Sequence, residues 1–244
     1  MRVTRFANLF AIAALATAST FAANASAAII FDDFNVNEGH FAQAPNFSGS
    51  TSNTAASSTA DRITTDSFEG DGNQKIVLNA TTAGAATRVR FLSGGGTPAN
   101  NTSFTTSAGV DGWIGLAVKT TSPGWNVQLW IEGPENNGAS QKNLIADGAW
   151  HIYEWNLDDQ TGGPDGWQAA GVPGIVGGDI DVQDGSYTID SVLFRHAAAP
   201  ASAEIFMDFV AKSDSGSIVP EPASLALAGL GLIGVCSLAR RKNA

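Results

Sequence analysis

The sequence predicts an all-β fold, a β-sandwich formed by one domain between two short end segments. From Ala28 to Val219 it consists of short β-rich runs separated by Gly, Asn, Asp and Ser, and helical periodicity is confined to the ends of the chain. That stretch, about 190 residues, suits one domain with a sizeable core and is short for two. It has no cysteine, Cys236 alone lying near the C-terminus, so folding relies on the core, or on the core and a metal, rather than on disulfides.

Taken in order, Arg2 and Arg5, the apolar stretch Leu9 to Ala18 and the small-x-small site Ala25-Ser26-Ala27 read as a secretory signal peptide over residues 1–27. The mature chain then begins near Ala28. Enrichment in β-branched and aromatic residues predicts strands near Ile29–Phe34, Ile63–Phe68, Lys75–Asn79, Thr87–Leu92 and Trp113–Lys119. Trp125–Ile131 alternates, with Val127, Leu129 and Ile131 on one face and Asn126, Gln128 and Trp130 on the other. In His151–Leu157, which follows a turn at Asp147-Gly148, the alternate residues His151, Tyr153, Trp155 and Leu157 share a face. Thr188–Phe194 and Glu204–Val210 complete the set. Ser48–Ala60, rich in Ser, Thr and Ala, and Ser93–Ser103, rich in Gly, Asn and Thr, read as long surface loops. The acidic stretch Asp179 to Gly185 reads as a strand holding Ile180 and Val182 that ends in an Asp184-Gly185 hairpin turn. As a calcium loop its Gly falls one place too late, and Asp190 stands where a bidentate Glu is required. The ectodomain is thus placed at residues 28–212 and a polar linker at 213–219.

Residues 220–244 have three parts: Pro220-Glu221-Pro222, the uncharged 17-residue run Ala223–Ala239, and the basic cluster Arg240-Arg241-Lys242. As a helix the run covers roughly 25 Å, slightly short of a bilayer core. The basic cluster favours a cytoplasmic C-terminus, with everything before Pro220 on the far side of the inner membrane. In this order the three parts resemble the PEP-CTERM sorting signal of Gram-negative bacteria. The resemblance implies recognition by an exosortase, a membrane-embedded cysteine transpeptidase acting near the Pro-Glu-Pro, and removal of the tail. It also implies a final place at the cell surface or in the extracellular matrix, alongside exopolysaccharide and biofilm. On residues alone, a single-pass anchor that is never cut is the alternative, and Cys236 reads as a small apolar residue of the span.

From Ala28 to Val219, 8 Lys and Arg face 22 Asp and Glu, a formal charge of −14. That balance argues against nucleic acid and anionic lipid surfaces as partners, and is compatible with neutral glycans or divalent cations.

The order of the later motifs, Trp150-His-Ile-Tyr-Glu-Trp-Asn-Leu157, then Ile189-Asp-Ser-Val-Leu-Phe194, then Glu204-Ile-Phe-Met-Asp-Phe-Val210, resembles that of galactose-binding-like jelly rolls. These are the fold of many carbohydrate-binding modules, and Phe31-Asp-Asp-Phe34 with Glu38-Gly39 is similar to their opening strand. The resemblance implies jelly-roll topology and a structural calcium ion held by Asp33 or Glu38 together with Asp208. Ca2+ takes many oxygen ligands and would tie distant parts of a disulfide-free domain together. Otherwise these carboxylates are solvated or cap turns.

For ligand binding the candidates are Asn126, Gln128 and Trp130, because an indole flanked by amides suits a sugar whose C–H face stacks on the ring while its hydroxyls pair with the amides. Glu154, on the face opposite Tyr153 and Trp155, and Trp167, in a Gly-rich loop, could extend the platform. Both faces of a jelly-roll strand can be covered, however, and core packing is the favoured reading of Trp130, as of Trp113, Trp125, Trp150 and Trp155. Glu132, Glu135 and Glu154 are possible glycosidase carboxylates without diagnostic spacing. No Gly-x-Ser-x-Gly elbow occurs in the ectodomain, and His40, His151 and His196 lack metal-ligand spacing. The resulting expectation is a non-catalytic, exosortase-sorted protein that binds or organises extracellular polysaccharide. A purely structural matrix or adhesion protein is the alternative, and a polysaccharide-active enzyme ranks below both.

Overall fold

A computed structural model of the chain describes residues 28–94, 103–107, 111–134, 136–159, 163–168, 184–214 and 216–219. The chain divides into two units, Ala28–Ile218 and a second made of Met1–Ala27 with Val219–Ala244. The signal peptide and the sorting segment 220–244 lie outside the described residues.

The strands of the larger unit are β1 (Ile29–Asp32), β2 (Thr59–Ile63), β3 (Asn73–Asn79), β4 (Thr87–Leu92), β5 (Ser103–Thr106), β6 (Trp113–Thr120), β7 (Trp125–Glu132), β8 (Asn136–Ala139), β9 (Lys142–Asn143), β10 (Trp150–Asn156), β11 (Trp167–Gln168), β12 (Gly185–His196) and β13 (Ser202–Ser213). They form two antiparallel sheets, so the unit is the β-sandwich that the sequence predicts. Sheet A runs β10-β6-β13-β3-β2 with β1 also on β13; sheet B runs β11-β8-β7-β12-β4 with β5 on β12 and β9 on β7. The core lies between them. Alternation along each strand supplies it: Ile114, Leu116 and Val118 from β6, Tyr153 and Trp155 from β10, and Val127, Leu129 and Ile131 from β7 are all buried.

The two 12-residue strands β12 and β13 act as spines. Each pairs with one long neighbour on one side, β7 or β6, and with two shorter strands in succession on the other. Each also breaks register once with its long neighbour, at an aspartate. On β12 the break falls between Ile189 and Ser191. Tyr187 and Ile189 face the core before it, Val192 and Phe194 after it, so Ser191, Leu193 and Arg195 turn outward. Asp190 is held there by Arg90, whose Nε and Nη2 donate to the carboxylate at 3.1 and 2.5 Å.

On β13 the break lies between Asp208 and Ala211, with Phe209 in the left-handed region at φ 49°. Asp208 is fully buried, and its carboxylate accepts the backbone N–H groups of Phe68, Glu69 and Phe209 at 2.8, 3.2 and 2.7 Å. This corrects the expected strand Ile63–Phe68. The strand instead spans Thr59–Ile63, its start lying in the expected loop, and the residues after it are drawn onto Asp208. Similarly the first strand stops at Asp32 rather than Phe34, because Phe34 adopts φ 54° with its N–H on the Asp32 carboxylate. Four strands have no expected counterpart: β5, β8, β9 and β11 have two to four residues each and exist by pairing with longer neighbours. Gly185 begins β12 rather than closing a turn, and the expected strand with Ile180 and Val182 lies outside the described residues.

The expected linker is docked. Ile218 is buried on the outer face of sheet A with Ala117, Phe209 and Ala211, while Glu154 accepts Ser217 Oγ and the Ile218 N–H, each at 2.9 Å. The larger unit runs to Ile218.

Trp130 is 1% exposed, packed on Leu193 and against Gly138, where a Cβ would come within 2.6 Å of the indole Cζ2. Trp130→Ala should therefore lower the unfolding free energy by about 3–5 kcal/mol in denaturant titration; a loss below about 1 kcal/mol would mean an indole exposed in solution. Burial pushes the Asp208 carboxyl up to about 6, against three N–H bonds that pull it down. A carboxyl raised in the folded state stabilises the protonated protein, so its contribution is greatest at low pH and is lost as pH rises through about 6. In thermal unfolding, the advantage of the native protein over Asp208→Asn should thus be larger near about pH 4.5 than near about pH 7.5, and a constant difference would refute the assignment.

Candidate binding pocket on the outer face of sheet B

Because β4, β12 and β7 are neighbours in fixed register, their outward residues form three rungs across sheet B. The rungs are Leu92–Ser191–Trp130, Arg90–Leu193–Gln128 and Arg88–Arg195–Asn126. The first two are closed. Trp130 packs on Leu193, Arg90 is turned to Asp190, and Gln128 Nε2 donates to the Ala139 carbonyl at 2.5 Å. The third opens into a pocket of about 450 Å3, lined also by Thr87, Gly124, Gln141 and His196. Gly124, at φ 82°, is needed there, since a Cβ would lie 2.6 Å from His196 Nε2. His196 Nδ1 accepts the Ala198 N–H at 3.0 Å, which leaves Nε2 to donate to the Pro123 carbonyl at 3.0 Å and fixes the ring as a wall.

The charge distribution singles this pocket out. Of the 8 cations between Ala28 and Val219, four lysines and Arg90 are ion-paired: Lys75 with Glu204, Lys119 with Asp66, Lys142 with Asp165, Lys212 with Asp214 and Arg90 with Asp190. Arg62 donates to the Phe34 and Asn35 carbonyls. The remaining two are Arg88 and Arg195, directly opposite each other in the sheet and without a carboxylate among the described residues. Arg88 Nε donates to the Ser50 carbonyl at 2.7 Å, whereas Arg195 Nε is buried with no hydrogen-bond partner among the described residues. Burial lowers the pKa of both guanidinium groups from the ordinary arginine value, and at Arg195 the charge of Arg88 lowers it further. Both stay protonated, so two cations share one partly desolvated site.

The residues expected from the sequence are dispersed. Asn126 lines the pocket and donates to Asn143 Oδ1 at 3.3 Å. Trp130 and Gln128 share its face but are buried, each 1% exposed, and offer no sugar platform. Trp167 is fully buried in the core and donates Nε1–H to the Asn156 carbonyl at 3.0 Å. Glu154 stands on β10 in sheet A, engaged with Ser217 and Ile218, so it does not extend a site on β7. Arg88 and Arg195 belong to no sequence motif. The available signal was the scarcity of cations in an acidic domain, which makes each one informative.

The arrangement around the expected calcium ligands does not suit the ion. Asp208 is filled by amide donors, and Asp33 accepts the Asn35 N–H at 3.0 Å. Glu38 begins the short 3-10 turn Gly39–Phe41 without a side-chain cap. The buried acid near the opening strand is instead Asp32, which accepts the Phe34 and His40 N–H groups at 3.2 and 2.6 Å. Among the described residues no three His, Cys, Asp or Glu side chains converge as a metal centre. The histidines are separate too: His40 faces Asp32, His151 faces Asp147 and His196 walls the pocket. Glu135 lies outside the described residues.

Among solved structures, the chain is similar to one from a study of carbohydrate-binding modules of the β-sandwich superfamily, with TM-score 0.43, 11% identity and coverage of 77% of this chain and 62% of the other. It spans, then, under two thirds of that structure's length. A carbohydrate-binding module in complex with β-1,4-galactotriose gives TM-score 0.34 and 11% identity, covering 62% of this chain and 78% of that one. The β-1,2-glucanase of Parabacteroides distasonis gives 0.37 and 10%, covering 76% and 25%. At these values no ligand or activity is transferred from them. No curated protein matches the sequence. Residues 219–242 match the PEP-CTERM protein-sorting motif, so the chain carries a signal that implies export, exosortase processing and a surface or extracellular location.

Proposed function

We propose that this is a non-catalytic surface or extracellular protein whose β-sandwich binds extracellular polysaccharide in the pocket formed by Arg88, Arg195 and Asn126. The observation that carries the reading is the open rung of polar and charged side chains beside two closed rungs on the outer face of sheet B. Its volume of about 450 Å3 lies within the range of small-ligand sites. Amides at Asn126 and Gln141 can pair with sugar hydroxyls, and the sorting motif puts the unit where such polymers occur.

Affinity electrophoresis of the Ala28–Ile218 unit through gels containing the producer's own exopolysaccharide tests this, since the unit holds both sheets and the whole core. Retardation is expected, severalfold weaker in Asn126→Ala, with no shortening of the polymer after prolonged incubation. Unchanged mobility of the folded protein in every gel would favour a structural matrix component without a discrete site.

A further inference from the structure

We infer that the Arg88–Arg195 pair is a subsite for the carboxylate of an acidic sugar residue, a uronate, within the polysaccharide. This rests on the pocket reading above and names the class of ligand. Like charges placed directly opposite in an antiparallel sheet destabilise it, and this unit has 22 carboxylates with which to neutralise 8 cations. Five of the other six cations do carry a carboxylate partner, and Arg62 is spent on backbone carbonyls. Arg88 and Arg195, which face each other in the sheet beside the pocket, have no anion among the described residues, and neither of them is taken up by two carbonyls as Arg62 is. Arg195 Nε is buried without an acceptor among the described residues, so a nearby anion would lower the cost of holding this guanidinium.

The chemistry of the opening narrows that anion. A guanidinium presents paired N–H donors in a plane that matches a carboxylate, and two such groups can share its oxygens. Asn126 and Gln141 flank the arginines with amides suited to ring hydroxyls, and His196 supplies a flat wall. Acidic residues are numerous elsewhere on the unit, so a polyanion is repelled except at this spot. Binding of an acidic polymer by so acidic a protein would therefore report the pocket rather than general charge attraction.

The test uses the Ala28–Ile218 unit in gels containing polygalacturonate, the same polymer after carboxyl reduction, dextran sulfate, or the producer's exopolysaccharide. Retardation by polygalacturonate is expected, about tenfold or more weaker in Arg195→Gln and in Arg88→Gln and absent for the reduced polymer. In unfolding without ligand, both variants should be as stable as the native protein or more so, because one member of a like-charge pair is gone. Equal retardation by dextran sulfate or by the reduced polymer would overturn the carboxylate assignment. So would free migration of the folded protein through polygalacturonate. In those cases the exopolysaccharide gel separates the two ideas: retardation there that is unchanged in both arginine variants overturns the arginine subsite but leaves polysaccharide binding standing, whereas none removes both.

Discussion

The arginine rung exists because β12 carries one extra residue at Asp190. A strand presents alternate side chains to opposite faces, and the core positions Tyr187 and Ile189, continued without interruption, would send Arg195 inward. The bulge reverses that parity, so Val192 and Phe194 fill the core and Arg195 stands outside beside Arg88 and Asn126. Arg90 fixes the bulge by gripping Asp190 with two donors from the adjacent strand, and the Ser93 N–H reaches the Asp190 carbonyl at 2.9 Å. A partly buried, forked ion pair of this kind adds geometric specificity, which suits it to holding a register.

The same device recurs on the other spine with a different result. On β13 the bulge at Asp208 turns Phe209 and Ala211 outward, and these receive Ile218 on the outer face of sheet A. Glu154 then clasps the segment through Ser217 and Ile218. The chain thus leaves the unit across sheet A, while the pocket lies on sheet B. The two outer faces differ: that of sheet A is covered by Ser217 and Ile218, and that of sheet B holds the pocket.

Whole-domain charge and local charge differ in this unit. A formal −14 between Ala28 and Val219 points toward neutral glycans or cations, yet the field at a site is set by the nearest charges. There the described residues place two guanidinium groups and no carboxylate. The acidic surface and the basic pocket are compatible, since repulsion elsewhere sharpens discrimination for an anion that fits one place.

The sequence by itself determined the sandwich class, the placing of most long strands and the sorting motif. Those signals are local: alternation in Trp125–Ile131 and His151–Leu157, and three contiguous parts in residues 219–242. It also placed Asn126, Gln128 and Trp130 correctly on one face of β7, because period two needs no knowledge of neighbours. Only the tertiary structure decided which of the three is open. That depends on Leu193 and Gly138 covering Trp130, and on Ala139 capturing Gln128, all contributed by other strands. The short strands β5, β8, β9 and β11, the two bulges and the docking of Ile218 share that dependence, for each is stabilised by partners distant in sequence. The pairing of Arg88 with Arg195, 107 positions apart in the numbering, is likewise a product of sheet register, invisible until β4 and β12 lie side by side.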